Sequence, residues 1–88
     1  MSPVGIVQAL QRRPFEPFRI EVSDGTSYEV RHPELVMVGR RAIVIGVPAE
    51  GQYPVYERTE TVSLGHVVKL IPLPSSVDGK GKKGKGSA

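Results

Sequence analysis

The chain contains no cysteine and no tryptophan, and only five of its 88 residues are aromatic. Without cysteine, disulfide frameworks, zinc–thiolate sites, thiol nucleophiles and iron–sulfur clusters are all excluded. A secreted domain of this size normally relies on such staples, so a reducing, cytoplasmic setting is expected. No stretch approaches the roughly 20 apolar residues of a membrane span. The segment Met1–Leu10 lacks a basic start, and Gln8 interrupts its apolar run, so it does not read as a signal peptide. No membrane partner is expected.

Bulk is also scarce. A chain this short makes one domain, and such a domain buries only about 60% of its unfolded surface. With an apolar fraction of 39%, a catalytic cavity would be costly to carve out of the core, and a non-enzymatic role is expected. The net charge of +3 comes from the C-terminus. Residues 1–78 hold eight Lys and Arg against nine Asp and Glu, a balance of −1, whereas residues 79–88 carry +4.

What is present reads as one helix followed by strands. Ser2-Pro3 supplies an N-cap hydroxyl and a proline at the first helical position. Val4, Val7 and Leu10 recur at helical spacing with Ile6 beside them. Arg12 and Arg13 fall where a last helical turn favours cations, and Pro14 stops the helix. Pro14 and Pro17 stiffen the corner, with Phe15 and Phe18 as core anchors. Phe18–Ser23 alternates as a first strand, with Phe18, Ile20 and Val22 inward. Asp24-Gly25 reads as a two-residue hairpin turn in which both positions tolerate φ > 0. Thr26–Arg31 returns as a second strand, with Tyr28 and Val30 inward. On the outer face Arg19, Glu21, Glu29 and Arg31 are placed to pair across the strands.

Pro33 ends that strand. Leu35–Val38 and Ala42–Val47 form a second hairpin around Gly39-Arg40-Arg41, both apolar enough to suggest two covered faces. Tyr53–Tyr56 reads as a short edge strand, Thr59–Leu64 as a further strand, Gly65-His66 as a break, and Val67–Ile71 as the last strand. The expected fold is therefore mainly β (α+β): a short N-terminal helix, then five or six strands in a bent antiparallel sheet or small, partly open barrel. The domain is expected over residues 1–74. Residues 75–88 form a Gly/Lys-rich tail whose composition suits disorder.

Chemistry-bearing constellations are few. His32 and His66 lie outside any ligand-spaced motif. A metal shared by these two with Glu34 has no pattern behind it. His66 is expected to bond to nearby backbone. Gly79-Lys80-Gly81-Lys82 lacks the strand–loop–helix setting of a phosphate loop. No catalytic residue, metal or cofactor is expected. Arg40 and Arg41, at a hairpin tip, offer bidentate donors to phosphate, and Lys80, Lys82, Lys83 and Lys85 would attract a polyanion such as nucleic acid. Tyr53 and Tyr56, near Arg58, can stack on bases. Val36, Val38 and Val44 are read as an apolar outer face for self-association or a protein partner, and an uncovered edge strand would serve the same end.

The run Pro14-Phe15-Glu16-Pro17-Phe18-Arg19-Ile20, then Asp24-Gly25, then Val30-Arg31-His32-Pro33-Glu34 resembles a family of small uncharacterised bacterial proteins that share the pattern PFxPFxIxxxDGxxxxVxHPE. The resemblance covers roughly residues 4–71 and implies no activity. At fold level the N-terminal helix, the Asp24-Gly25 hairpin and the break at Leu64-Gly65-His66 resemble Sm-like and SH3-like small barrels. The segment His32–Gly39 lacks the Asp and Asn pair that Sm-like proteins place around a base, and the second strand lacks their glycine. The resemblance therefore implies a fold and not RNA binding by that route. The sequence points to a non-catalytic interaction module, with nucleic-acid association through Arg40, Arg41 and the lysine tail as the alternative.

Overall fold

A computed structural model describes residues 1–74. It holds one helix, α1 (Pro3–Leu10), and six strands: β1 (Phe18–Val22), β2 (Ser27–Val30), β3 (Val36–Val38), β4 (Ala42–Pro48), β5 (Tyr56–Ser63) and β6 (Val67–Pro72). The strands form two three-stranded antiparallel sheets, ordered β2-β1-β6 and β3-β4-β5. The expected class is met, with six strands, but the sheets do not close into a barrel. The tail expectation, including Lys80, Lys82, Lys83 and Lys85, lies outside the described residues.

Helix α1 starts as its sequence dictates. Ser2 Oγ accepts from the Val4 amide at 3.1 Å, and Pro3 fills the first turn. The helix stops earlier than its charges suggest, with Gln11 as C-cap, so Arg12 and Arg13 lie beyond its last turn. Arg13 still reaches back to donate to the Leu10 carbonyl at 3.2 Å. Ile6 is the helix's fully buried residue, while Val4 is 60% exposed. Two turns of helix present only a narrow stripe, and Ile6, Ala9 and Leu10 form it.

The first hairpin is wider by one residue than Asp24-Gly25 alone would make it. Gly25 donates to the Val22 carbonyl and Val22 to the Thr26 carbonyl, so Ser23, Asp24 and Gly25 form a three-residue loop. Gly25 carries φ +94°, the left-handed position such loops reserve for glycine. The ion pairs beside it run along the strands: Arg19 pairs with Glu21 and Arg31 with Glu29, each at 3.2 Å. Residues two apart on one strand share a face, so each arginine finds its carboxylate without crossing to the neighbour. Such exposed pairs contribute about 0.2–1 kcal/mol.

Register sorts the second hairpin. Val36 pairs with Ile45 and Val38 with Ile43, while Met37 pairs with Val44. Ile43 and Ile45 are buried to 0% and 1%, so Val36 and Val38 face inward with them. Met37 is 70% exposed and Val44 half-buried, so this hairpin has one covered face and not two. The chain around Tyr53–Pro54 is turn, and the strand begins at Tyr56. Between Val47 and Pro48 the β4–β5 register shifts by a residue. Tyr56 thereby points outward and lays its ring across Gly46, where an added Cβ would stand 3.0 Å from a ring carbon.

The inner faces meet in one apolar cluster. Its fully buried members are Ile6 from α1, Ile20 from β1, Val30 from β2, and Ile43 and Ile45 from β4. Phe18 joins the cluster, and half-buried Phe15 packs against it. Ile43→Ala is expected to cost about 2–5 kcal/mol, whereas Met37→Ala should stay within about 0.5 kcal/mol. Urea denaturation of the two variants checks the assignment, and comparable losses would contradict it.

Candidate functional site

At one end the two sheets part and leave an open cleft of about 1040 Å³. Its first wall is β2, the edge strand of its sheet. Ser27 and Glu29 from the outer face and Tyr28 from the inner face all line the cleft. Side chains alternate between faces along a strand, so both sets border one space only where that space lies along the strand's edge. The hydrogen-bonding groups of β2 that point away from β1 therefore face the cleft. The other side is built from Leu35, the β4 run Ile45–Pro48, and Arg58 and Glu60 of β5.

A loop closes the end of the cleft. Ala49 donates to the Val55 carbonyl, Gln52 to Ala49, and Val55 to Gln52, which folds residues 49–55 into a tight unit with Gly51 at φ +70°. Tyr53 stacks on His32, with ring centroids 4.0 Å apart and planes at 14°. That stack ties the loop to the segment just past β2. The structure thus gives Tyr53 a stacking partner within the chain and gives His32 a packing role.

Charge in the cleft is unequal. Asp24, Glu29, Glu50 and Glu60 line it against Arg31 and Arg58, a net charge of −2. Both arginines are already paired, Arg31 with Glu29 and Arg58 with Glu60 at 2.7 Å. The bond to Glu60 raises the Arg58 pKa, so this cation persists. Asp24 accepts from both the hydroxyl and the amide of Thr26. These bonds, the hydroxyl first, hold its carboxyl below the usual aspartate range. Asp24 and Glu50 take part in none of the ion pairs among the described residues, and His66 is the nearby group whose charge adds weakly to the lowering at Asp24.

The residues singled out in the sequence are dispersed. Arg40 and Arg41 are exposed at the β3–β4 turn, next to the Ala42–Ser63 pair, while the cleft begins at the Ile45–Glu60 pair. Three residues of strand, about 10 Å, separate the two. Of the proposed outer face, only Val44 lies outward; Val36 is 8% exposed and belongs to the core. His66 bonds through Nδ1 to Ser23 Oγ at 3.1 Å, a side-chain partner where backbone was expected. It is the His66 carbonyl that takes the Ser23 amide. Among the described residues no three His, Asp or Glu gather as metal ligands, and no helix is long and apolar enough to cross a membrane. Sequence reasoning missed the cleft because its walls join β2 to residues about twenty positions further on. The acidic pair that marks it, Asp24 and Glu50, carries no local pattern.

Comparison with known proteins finds no matching family model, no matching curated protein and no matching solved structure.

The Asp24 contacts give a pH dependence with a definite sign. Its folded pKa is depressed, so its contribution is full above the unfolded value of about 3.9 and is lost as pH falls through the folded value. Asp24→Asn keeps an acceptor for Thr26 and removes the charge. Urea midpoints measured downward from that pH should fall more steeply for the parent chain than for Asp24→Asn, and parallel curves would contradict the assignment.

Proposed function

We propose that the chain is a non-catalytic interaction module that captures an extended segment of a partner protein by strand addition to β2. The observation that carries this reading is that β2, an edge strand of its sheet, lines an open cleft of about 1040 Å³. An edge strand presents unpaired N–H and C=O groups. A peptide bound there gains main-chain hydrogen bonds from the edge and selectivity from the pockets that take its alternate side chains. Here Val47 and Pro48 of β4 offer half-buried apolar contact, and Tyr28 offers a half-buried ring.

Nucleic-acid binding through Arg40, Arg41, Lys80, Lys82, Lys83 and Lys85 is a second reading. It is favoured by one observation: both arginines are exposed and take part in none of the ion pairs among the described residues. The net negative charge of the cleft supports a site for such binding away from the cleft, because like charge opposes a polyanion.

Selection of binders from a random eight-residue peptide library, followed by amide chemical-shift mapping on the full chain, tests the first reading. The expected outcome is shifts confined to Ser27–Val30 and Ile45–Val47. Binders that shift only Met37 and Val44 would contradict it in favour of self-association or docking on the outer face. Absence of any peptide binder, together with RNA that shifts Arg40 and Arg41, would replace it with the second reading.

A further inference from the structure

We infer that the segment taken into the cleft is a short basic strand, with a lysine or arginine at each end and apolar residues between. This rests on the strand-capture reading and specifies the partner's chemistry. Asp24 sits in the loop before β2. Glu50 sits in the loop that the Tyr53–His32 stack ties to the segment after β2. The two carboxylates therefore bracket the open edge. Between them the other charges are cancelled locally, Arg31 by Glu29 and Arg58 by Glu60.

A guest strand lying along Thr26–His32 has room for about seven residues, or roughly 20 Å. Its side chains alternate. One set faces inward toward Tyr28, Ile45 and Val47, which are largely apolar. The terminal residues come to the two loops, where Asp24 and Glu50 favour cations. An acidic guest would meet two unpaired carboxylates, and juxtaposed like charge selects against such a partner.

Three labelled peptides test the inference on the full chain: Lys-Val-Thr-Val-Thr-Val-Lys, the same sequence with both lysines replaced by glutamate, and the lysine peptide N-methylated at every internal residue. Fluorescence anisotropy would be read at about 0.01 M and about 0.15 M salt, where the Debye length is about 30 and about 8 Å. The lysine peptide is expected to bind about tenfold tighter than the glutamate peptide at low salt, with the gap narrowing at higher salt. The variant Asp24→Asn/Glu50→Gln should erase that preference while keeping the β2 amide shifts. Equal affinities of the two unmethylated peptides in the parent chain, or a preference for glutamate, would overturn the basic-strand inference and leave strand capture standing. Loss of all binding, or undiminished binding of the N-methylated peptide, would overturn both.

Discussion

Arg58 and Glu60 occupy a face that is otherwise core, and the shape of the molecule follows from that. Along β5 the inward positions read Val62, Glu60, Arg58, running from buried through half-buried to exposed. Opposite them β4 reads Ile43, Ile45, Val47, from fully buried to half-buried. Where both strands offer apolar side chains the sheets close on one another. Where β5 offers a guanidinium and a carboxylate they part, because enclosing the pair would cost more in lost hydration than their attraction returns. The cleft is the consequence, and the pair stands on its wall at 2.7 Å, still in contact with water.

The closed half holds the rest in place. Ile6 from the helix and Ile20, Val30, Ile43 and Ile45 from the two sheets are all β-branched. Such side chains are stiff at χ1 and suit a pleated surface. In a chain of 88 residues this cluster is most of what opposes the entropy of the unfolded state. It orients β1, and β1 in turn fixes β2 through the pairs Phe18–Val30 and Ile20–Tyr28. The edge that β2 presents to the cleft is thus held by a core it borders only on one side. The stacked rings of His32 and Tyr53 hold the loop at the far end. A binding surface on elements held this way is better defined than one carried by loops alone.

Much of this was legible in the sequence where the signals were local. Ser2-Pro3 marked the helix start, alternation marked β1, and Gly25 marked the first turn. The loop came out one residue longer because Gly25 takes the left-handed position alone, with Ser23 and Asp24 before it. Continuous apolar runs were harder to read. In Leu35–Val38 and Ala42–Val47 inward and outward residues are chemically alike, so Val36 passed for surface until its pairing with Ile45 placed it in the core. Tyr53–Tyr56 looked like an edge strand because its aromatic residues suit one, yet Tyr53 is claimed by His32, which lies 21 positions earlier. The cleft had no sequence signature at all. The two carboxylates outside its ion pairs, Asp24 and Glu50, lie in two separate loops, and only the fold brings them to the same cleft.

The central claim is that β2 has a free edge open to a guest strand. Residue-resolved hydrogen exchange over Ser27–Val30 tests it most directly. In the free chain the amides directed toward β1 should be protected and those directed toward the cleft should exchange readily, alternating along the strand. A saturating basic strand should slow the second set and leave the first unchanged. Protection of the cleft-facing amides in the free chain would mean that the edge is already closed. Continued rapid exchange under saturation would mean that the cleft holds its guest some other way. Either result would contradict the account.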